Sequence, residues 1–359
     1  MENKTIVVGM SGGVDSSVSA LLLKNAGYNV IGLFMHNWEE EENGFCTAEQ
    51  DYNDVKRVCE VIGIPYYSVN FSKDYMDRVF SFFLEEYKAG RTPNPDVLCN
   101  REIKFGPFLD YALSLGADKI ATGHYARVEE RDGIFYLLKA KDANKDQTYF
   151  LNQLNQKQLS KVVFPVGDML KPDLREIAKK ANLVTATKKD STGICFIGER
   201  KFREFLKTYL PAKKGKICDI NGKVVGEHEG VFYYTIGQRK GLNIGGIAGG
   251  NGERWFVYKK DVKNNILYVH QGDDDVLYSV YCTTDKFNFI SGKPADEFDC
   301  TCKFRYRQNE QDVHVSVLKD GSTKITYKQK QKAVTPGQYA VLYLGDVCLG
   351  GARINEVFA

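Results

Sequence analysis

The interpretation of this chain starts from Gly9-Met10-Ser11-Gly12-Gly13-Val14-Asp15-Ser16-Ser17, a glycine- and serine-rich stretch between two strongly patterned segments. Residues 6–10 before it form an apolar run that predicts a β-strand, and residues 15–25 after it carry apolar side chains at helical spacing. Gly27 suits the end of that helix, and the apolar, β-branched residues 29–36 predict a second strand. Strand, helix and strand in this order predict a parallel βαβ unit.

The same alternation continues through the first 200 residues of the chain. Helical patterns run over residues 52–62, 74–88 and 103–115, and a third strand is predicted at residues 119–122. We therefore expect an α/β fold with a Rossmann-like, doubly wound parallel sheet, in which ligands bind beyond the carboxyl ends of the strands.

Beyond about residue 210 the pattern changes to short strand-like runs separated by turn signals such as Asp320-Gly321. Residues 313–317 alternate valine with polar residues before that turn, and the alternation resumes at residues 325–327, as in a hairpin. The chain is thus predicted to contain an α/β domain at residues 1–205, a small mixed central domain at 206–275 and a C-terminal β-barrel at 276–359.

The composition excludes several classes of protein. The chain has 359 residues, 43% of them hydrophobic and 26% charged. It lacks the run of about 18 apolar residues that a membrane-spanning helix needs, and its start lacks the apolar core of a signal peptide. We therefore expect a cytoplasmic protein without membrane contact. Its nine cysteines include no Cys-x-x-Cys pair, which argues against a zinc site built from side chains. The net charge of +3 permits nucleic-acid binding without requiring it.

The glycine-rich stretch has the chemistry of an anion-binding loop. Gly12 and Gly13 let backbone N–H groups approach a phosphate, and the following helix adds the partial positive charge of its N-terminus. Ser11 and Ser16 offer hydroxyl groups. The stretch lacks the lysine of a Walker A loop and the glycine spacing of a dinucleotide fingerprint. The alternative is an ordinary tight turn that caps a helix at Asp15.

A second unusual segment surrounds Cys99. Pro93 and Pro95 exclude a regular helix before it and favour a stiff loop, in which Asn94 can read the edge of a base. A helix that began at Asp96 would put Asp96 and Cys99 on one side, where the carboxyl group can act as acid or base. Taken alone, a cysteine such as Cys99 is more often a buried structural residue than a nucleophile.

A third segment, residues 188–200, surrounds Cys195 with positive charge. The cations in it are Lys188, Lys189 and Arg200. Positive charge stabilises a thiolate or a persulfide anion, and glycines on both sides suggest a turn that exposes the thiol. The alternative is a cysteine that packs beside Phe196.

Several motifs together resemble the bacterial tRNA-specific 2-thiouridylases, which belong to the PP-loop ATP pyrophosphatases. They are GMSGGVDS at 9–16, NPDVLCN at 94–100, TGHYAR at 122–127, KDQ at 145–147, DSTGICFIG at 190–198, GQRKGL at 237–242, FRYR at 304–307 and TPGQ at 335–338. The resemblance covers essentially the whole chain in the family's order. It implies a PP-loop (HUP-type) catalytic domain, a small central domain and a β-barrel that contacts tRNA.

The resemblance also implies a reaction. An oxygen of the substrate attacks ATP to form an adenylate, because AMP can leave where a uracil carbonyl oxygen cannot. Cys195 is implied as the carrier of sulfur in a persulfide, and Asp96 as the acid or base. Cys99 either releases hydrosulfide from that persulfide or resolves it in a transient Cys99–Cys195 disulfide.

The binding residues follow from the same resemblance. The implied ATP contacts are Gly9, Met10, Ser11, Gly12, Gly13, Val14, Asp15, Ser16, Met35 and Gly123, with Asp15 giving a hydrogen bond or a contact to Mg²⁺ of the nucleotide. The implied tRNA contacts are Asn94, Pro95, Asp96, His124, Lys145, Asp146, Gln147, Arg305, Tyr306 and Gln338. The implied partners are the tRNAs for glutamate, glutamine and lysine, and a cysteine desulfurase or sulfur-relay protein as sulfur donor.

Some of the tRNA contacts also have local support. Residues 145–147 stand in a predicted polar loop whose lysine and amide suit phosphates and base edges. Lys303, Arg305 and Arg307 alternate, which predicts one face of a strand. The alternatives are a solvated strand face and, for His124, a structural histidine.

Two rival functions remain at this level. Another PP-loop adenylating enzyme, such as a tRNA lysidine synthase or a small-molecule amide ligase, explains the loop but leaves both cysteine segments without a role. The other rival, a non-enzymatic RNA-binding or redox-sensing protein, gives no role to the intact loop and to Asp96.

Overall fold

The computed structural model describes residues 4–38, 47–190, 202–244 and 252–359, with only the backbone described at 47, 48, 202 and 203. The strands of the first part of the chain are β1 (Thr5–Met10), β2 (Asn29–His36), β3 (Tyr66–Asn70), β4 (Lys119–Ala121), β5 (Ala126–Arg131), β6 (Ile134–Lys139) and β7 (Val162–Val163). The helices are α1 (Val14–Asn25), α2 (Thr47–Ile62), α3 (Ser72–Tyr75), α4 (Ser81–Lys88), α5 (Pro95–Cys99), α6 (Pro107–Ser114), α7 (Gln156–Leu159), α8 (Lys171–Lys180) and α9 (Phe202–Tyr209).

A parallel sheet with β1 at its centre organises this part of the molecule. Its strand order is β3-β2-β1-β4-β7. Both faces of the sheet are covered: Val7 and Leu33 belong to one buried cluster, and Val8 and Phe34 belong to another on the opposite face. A parallel strand that is buried on both faces has a continuous run of apolar residues. This is why the sequence predicted β1 and β2. The predicted doubly wound parallel sheet is confirmed.

Of the strands that the structure describes in the first part of the chain, four have no counterpart in the sequence prediction: β3, β5, β6 and β7. Tyr66–Asn70 is an edge strand with mostly exposed residues, so it lacks an apolar run, and the strand predicted third is therefore the fourth along the chain. The hairpin of β5 and β6 also escaped prediction, because the last three residues of β5 are exposed and charged. The helical patterns at 74–88 and 103–115 are present, but each includes or adjoins a π-helical turn, Met76–Phe80 and Asn100–Lys104.

The rest of the chain forms a small sheet and a barrel. The small sheet contains β8 (Gly215–Cys218), β9 (Val224–His228), β10 (Trp255–Asp261) and β11 (Ile266–Gln271) in the order β10-β11-β8-β9, with only β8 and β11 parallel. The barrel region contains β12 (Tyr278–Thr284), β13 (Asn288–Phe289), β14 (Glu297–Lys303), β15 (Gln311–Val317), β16 (Thr323–Lys332), β17 (Tyr339–Leu344) and β18 (Val347–Phe358). Mixed sheet and β-barrel are both as predicted.

The barrel is closed and joined directly to the α/β domain. Its antiparallel order β12-β16-β15-β14-β17-β18 returns to β12 through the pairing of β18 with β12. The start of β18 also pairs with β6, where Val347 lies opposite Leu138. The hydrogen-bonded sheet therefore runs from the barrel into the first domain. Within the described residues, no helix combines the length and the apolar composition needed to cross a membrane.

A buried carboxylate ties α4 to the barrel. Glu86 is 2% exposed. Its Oε2 accepts a hydrogen bond from Arg91 Nε at 2.7 Å, and its Oε1 accepts one from Arg353 Nη1 of β18 at 2.6 Å. Arg353 Nε donates in turn to Asp285 at 2.8 Å. Burial alone would raise the pKa of Glu86, but the hydrogen bonds and charges of the two arginines outweigh it and hold this pKa below its ordinary value.

We expect Glu86→Gln to lower the free energy of unfolding by about 1.5–3 kcal/mol near neutral pH, because it keeps the shape but removes the charge that two guanidinium groups bind. Since the folded-state pKa lies below the unfolded one, this stabilisation is present above about pH 4.3 and is lost as the pH falls through the folded-state pKa. Urea unfolding at several pH values measures it. Glu85→Gln, at an exposed position of the same helix, is the control, and an equal loss in both variants would contradict the assignment.

Candidate active site

The anion-binding loop lies between the carboxyl end of β1 and the start of α1. Gly12 has a φ of +72° and lies so close to α2 that a Cβ would come within 2.7 Å of the carbonyl oxygen of Asp51. Gly13 is the N-cap of α1 and supplies no side-chain acceptor. Ser11 is exposed, and its Oγ lies 3.1 Å from Ser16 Oγ. The helix N-terminus and the exposed hydroxyl group of Ser11 therefore suit a phosphate group. The buried hydroxyl group of Ser16 donates to the carbonyl of Gly13 at 3.1 Å.

The segment after β4 packs directly on this loop. A Cβ at Gly123 would come within 2.7 Å of the backbone nitrogen of Ser16, so only glycine allows the approach. The next residue, His124, shares a 2.7 Å hydrogen bond between its Nδ1 and Thr122 Oγ1. Burial and the nearby charge of Lys104 hold the pKa of His124 well below its ordinary value. His124 is therefore neutral at neutral pH and can form hydrogen bonds but no ion pair with a phosphate. Met35, half-buried in β2, lies opposite Val69 of β3.

An ionic cluster lies beside the first turn of α1. Lys171 Nζ lies 2.6 Å from Asp15 Oδ1 and 2.9 Å from Asp190 Oδ1. Asp190 also binds Arg175 at 2.8 Å and Lys145 at 2.5 Å. Sequence reasoning missed Lys171 and Arg175, because 156 residues separate Lys171 from Asp15 and no local motif marks it.

The proline-rich segment before α5 is held by the barrel. The backbone N–H of Thr92 donates to the carbonyl of Pro336 at 3.0 Å, and Gln338 Nε2 donates to the carbonyl of Thr92 at 2.8 Å. A Cβ at Gly337, whose φ is +93°, would come within 2.8 Å of Thr92 N. Gln338 was expected to contact tRNA. In the structure its side chain connects the barrel to the segment that leads to Cys99.

Helix α5 begins one residue earlier than the sequence suggested. Asn94 is its N-cap, with Oδ1 accepting from the backbone N–H of Val97 at 3.2 Å, and Pro95 is its first residue, where a missing N–H does no harm. Asp96 is partly exposed, whereas Cys99 at the end of the helix is fully buried. The amide oxygen of Asn94 that was expected to read a base is thus engaged in helix capping.

The neighbour of Cys99 carries an unusual buried acceptor. Asn100 is 2% exposed, and its Nδ2 donates to the carbonyl of Phe150 at 3.0 Å. Its Oδ1 has no hydrogen-bond partner within the described residues. A buried acceptor that lacks a donor lowers the stability of the folded chain. The position of Asn100 Oδ1 therefore suits a site where a bound substrate donates the missing hydrogen bond.

Cys195 lies outside the described residues, as do Phe196 and Arg200. Lys188, predicted to add positive charge near that thiol, lies just before this part of the chain. Its ammonium group binds Asp51 and Asp54 of α2 at 2.6 Å each. The segment that leads to Cys195 is thereby anchored to the helix against which Gly12 packs.

In the loop at residues 145–147, the side chains of Asp146 and Gln147 form hydrogen bonds within the protein. Asp146 is buried and accepts from the backbone of Ala140 at 3.0 Å and from Thr148 Oγ1 at 2.8 Å. Gln147 Oε1 accepts from the backbone N–H of Tyr125 at 2.9 Å. Residues 145–147 lie in a loop as predicted, but Asp146 is buried within it. These contacts, with that of Phe150 to Asn100, link the side of the site with the anion-binding loop to the Cys99 side.

The predicted strand face at 303–307 is wrong. β14 ends at Lys303. Arg305 turns inward, where its Nη2 donates to the carbonyls of Ile236 and Ala333 at 3.0 and 2.6 Å. Tyr306 instead packs on Phe150, which the sequence interpretation had not singled out, with ring centroids 4.3 Å apart. The backbone carbonyl of Phe150 binds Asn100, and partly exposed aromatic rings such as Phe150 and Tyr306 can stack on a flipped-out base.

Comparison with known proteins covers nearly the whole chain. Residues 4–199 match the family model described as a tRNA methyl transferase HUP domain, residues 203–271 its PRC-barrel domain, and residues 279–354 an aminomethyltransferase β-barrel domain. The tRNA-specific 2-thiouridylase of Geobacillus thermodenitrificans is 61% identical over 356 residues, which cover 98% of this chain and 95% of that protein. The chain belongs to the tRNA-specific 2-thiouridylase family.

A second relative supports the same family, whereas the similarity to a solved structure carries less weight. The 2-thiouridylase of Alkaliphilus oremlandii is 60% identical over 355 residues, 98% of this chain and 97% of that protein. A U34-tRNA thiolase structure from Methanococcus maripaludis has a TM-score of 0.35 and 19% identity, covering 58% of this chain and 67% of that one. Family membership therefore rests on the full-length 2-thiouridylase relatives.

We expect Gly337→Ala to displace the segment at Thr92, because its Cβ would overlap backbone atoms that cannot rotate away. Gly345→Ala is the matched control: Gly345 also has a positive φ, +58°, but a Cβ there meets nothing within 4 Å. Both changes strain the backbone by about 1–2 kcal/mol. Only Gly337→Ala should lose more stability than that and accelerate amide hydrogen exchange at residues 92–99. Equal exchange in the two variants would show that Gly337 does not hold this segment.

Proposed function

We propose that this protein is a tRNA-uridine 2-sulfurtransferase. It uses ATP to adenylate the C2 oxygen of the wobble uridine, releases pyrophosphate, and replaces the adenylated oxygen with sulfur from a cysteine persulfide to give 2-thiouridine and AMP. The observation that carries the proposal is the relation over almost the full length to tRNA-specific 2-thiouridylases. The nucleotide loop and the Cys99 helix, linked through residues 123–150, support it.

ATP fits the loop by its chemistry. The start of α1 has no side-chain cap and Ser11 beside it is exposed, so the backbone N–H groups of this turn can bind phosphates. Mg²⁺ would accompany the nucleotide and reduce repulsion between its phosphates and Asp15. The loop then binds the pyrophosphate as it leaves, so that the α-phosphate remains on the uridine oxygen.

The thiol chemistry assigns different roles to the two cysteines. Cys195 carries the persulfide, whose terminal sulfur attacks C2 and displaces AMP. The Cys99 thiolate then attacks Cys195 Sγ, which leaves sulfur on the uridine and forms a Cys99–Cys195 disulfide that an external dithiol must reduce. In the other order, Cys99 first attacks the persulfide and releases hydrosulfide, which attacks C2. Because Cys99 is fully buried, either step requires its surroundings to open towards substrate.

The substrate base is taken out of the anticodon loop to reach this site. Phe150 and Tyr306 offer a stacking surface, and Asp96, on the helix that ends at Cys99, is the acid or base. The proposed substrates are the tRNAs for glutamate, glutamine and lysine, and the proposed sulfur donor is a cysteine desulfurase or a relay protein. The reducing cytoplasm suits a reaction that must regenerate thiols.

Purified protein incubated with unmodified tRNA, ATP, Mg²⁺, cysteine and a cysteine desulfurase tests the proposal, with mass spectrometry of the tRNA nucleosides as readout. We expect 2-thiouridine, with AMP and pyrophosphate as the nucleotide products. Cys99→Ser and Cys195→Ser should each abolish it, and Asp96→Asn should lower the rate by about 10²-fold. Cys218→Ala, in the central sheet, is the control. Formation of ADP would contradict adenylation, and full turnover of Cys99→Ser would contradict the two-thiol mechanism.

The two assignments of Gln338 make different predictions. Since its amide binds the carbonyl of Thr92, we expect Gln338→Ala to lower kcat for 2-thiouridine formation and to leave the Kd for tRNA within about twofold. A tRNA contact would instead weaken tRNA binding. Filter binding and steady-state kinetics on the same preparations separate the two outcomes.

A further inference from the structure

A buried polar group that the proposed reaction leaves unused lies next to Cys99. Asn100 is 2% exposed, and its Nδ2 donates to the carbonyl of Phe150 at 3.0 Å. This hydrogen bond fixes the orientation of the amide, because a flipped amide would place two oxygens against each other. Oδ1 therefore faces away from Phe150, where no donor in the described part of the chain reaches it. Most buried polar groups have a partner, so this acceptor requires an explanation.

Asn100 lies on the same side of its helix as Asp96. The α-helical hydrogen bonding of α5 continues up to this residue, since the backbone N–H of Asn100 donates to the carbonyl of Asp96. Side chains four residues apart on an α-helix are neighbours, with about 5–6 Å between their Cβ atoms. Cys99, the residue between them that directly precedes Asn100, is buried as well. A base that lay against Asp96 and Cys99 would therefore also lie within reach of Asn100.

The two partly exposed aromatic rings lie close to the same residues. The ring of Tyr306 lies 4.3 Å from that of Phe150, whose carbonyl binds Asn100. Burial raises the pKa of Tyr306, and the nearby charges of Asp146 and Asp96 raise it further. Tyr306 is therefore close to Asp96 as well as to Phe150. These contacts bring a stacking surface, a carboxylate and a buried acceptor together beside the end of α5.

A buried acceptor without a donor selects for a ligand that carries an N–H or O–H group. Uracil has one N–H group on its Watson–Crick edge, at N3, next to the C2 atom that receives sulfur. Cytosine has no hydrogen at N3, and its lone pair repels an amide oxygen. An acceptor that meets a lone pair stays unsatisfied, which costs free energy and therefore discriminates between the two bases.

We propose that Asn100 is a specificity-determining residue, whose Oδ1 accepts the N3–H of the target uracil and so selects uridine against cytidine. This inference rests on the proposed 2-thiolation of a tRNA uridine at this site. Asn100 takes no proton in this role. The N3 proton passes to Asp96, the acid or base of the proposed reaction, when the C2 oxygen is adenylated. It returns to N3 when the thiocarbonyl group of 2-thiouridine forms.

Two transcripts of the glutamate tRNA, which carry either uridine or cytidine at the wobble position, test the proposal on the full chain. Filter binding without ATP gives the Kd of each transcript. We expect the wild type to bind the cytidine transcript at least about tenfold more weakly, because the acceptor then has no donor. Asn100→Ala should weaken binding of the uridine transcript by about tenfold and leave the Kd of the cytidine transcript within about twofold. The preference for uridine is then largely lost.

The matched control is Asn152→Ala. Asn152 is also a fully buried amide, but both of its polar groups are bonded within the chain. Its Nδ2 donates to the carbonyl of Tyr149 at 2.6 Å, and its Oδ1 accepts from Gln153 at 2.8 Å. Loss of a merely structural amide should change the binding of both transcripts equally and preserve the preference for uridine. That result for Asn100→Ala, or a wild type that binds both transcripts equally, would overturn the proposal.

Thermal unfolding shows whether the variants fold. Should Asn100→Ala not fold, Asn100→Leu, which has a similar volume, gives the same comparison. The complete reaction mixture separates this proposal from the proposed function. Wild-type protein that binds the uridine transcript preferentially but produces neither 2-thiouridine nor AMP would refute the sulfur transfer and leave the recognition of uracil by Asn100 in place.

Discussion

The attachment of the barrel to the segment before Cys99 is the constraint on which the site depends. That segment cannot hold its own shape through regular secondary structure, because Pro93 and Pro95 have no N–H to donate. Its backbone groups at Thr92 are bonded instead to Pro336 and Gln338 of the barrel. The helix that carries Asp96 and Cys99 therefore starts from a point that a distant domain defines.

The buried Glu86 explains why this attachment has one geometry. An apolar contact of similar size would stabilise the interface as well or better, but it would tolerate sliding. A carboxylate that accepts from Arg353 of the barrel does not, since this hydrogen bond is lost if the barrel shifts. Because Arg91 directly precedes Thr92, the same carboxylate that joins the domains also binds the residue at the entry to the proline segment.

The prediction from sequence was most accurate for elements whose structure is determined by neighbouring residues in the chain. The βαβ unit around the glycine-rich loop and the hairpin at Asp320-Gly321 were predicted nearly to the residue, because continuous apolar runs and turn residues encode them without reference to the rest of the chain. Tyr66–Asn70 was missed because an exposed edge strand has no apolar signature. The hairpin of β5 and β6 was missed because charged residues occupy half of it and its partner strand, β18, lies some 200 residues further along the chain.

The same distinction separates the site residues that were identified from those that were not. Motifs located the loop, Asp96 and Cys99, but they could not tell a side chain that faces substrate from one that holds the site together. Gln338, Arg305 and Asp146 carry polar groups that suit RNA, and in the folded chain those groups are bonded to backbone atoms of other segments. Conversely, Lys171 stands in no recognised motif and reaches the loop only because α8 packs on α1. A motif records which polar groups a site needs, whereas the fold determines which of them remain for the ligand.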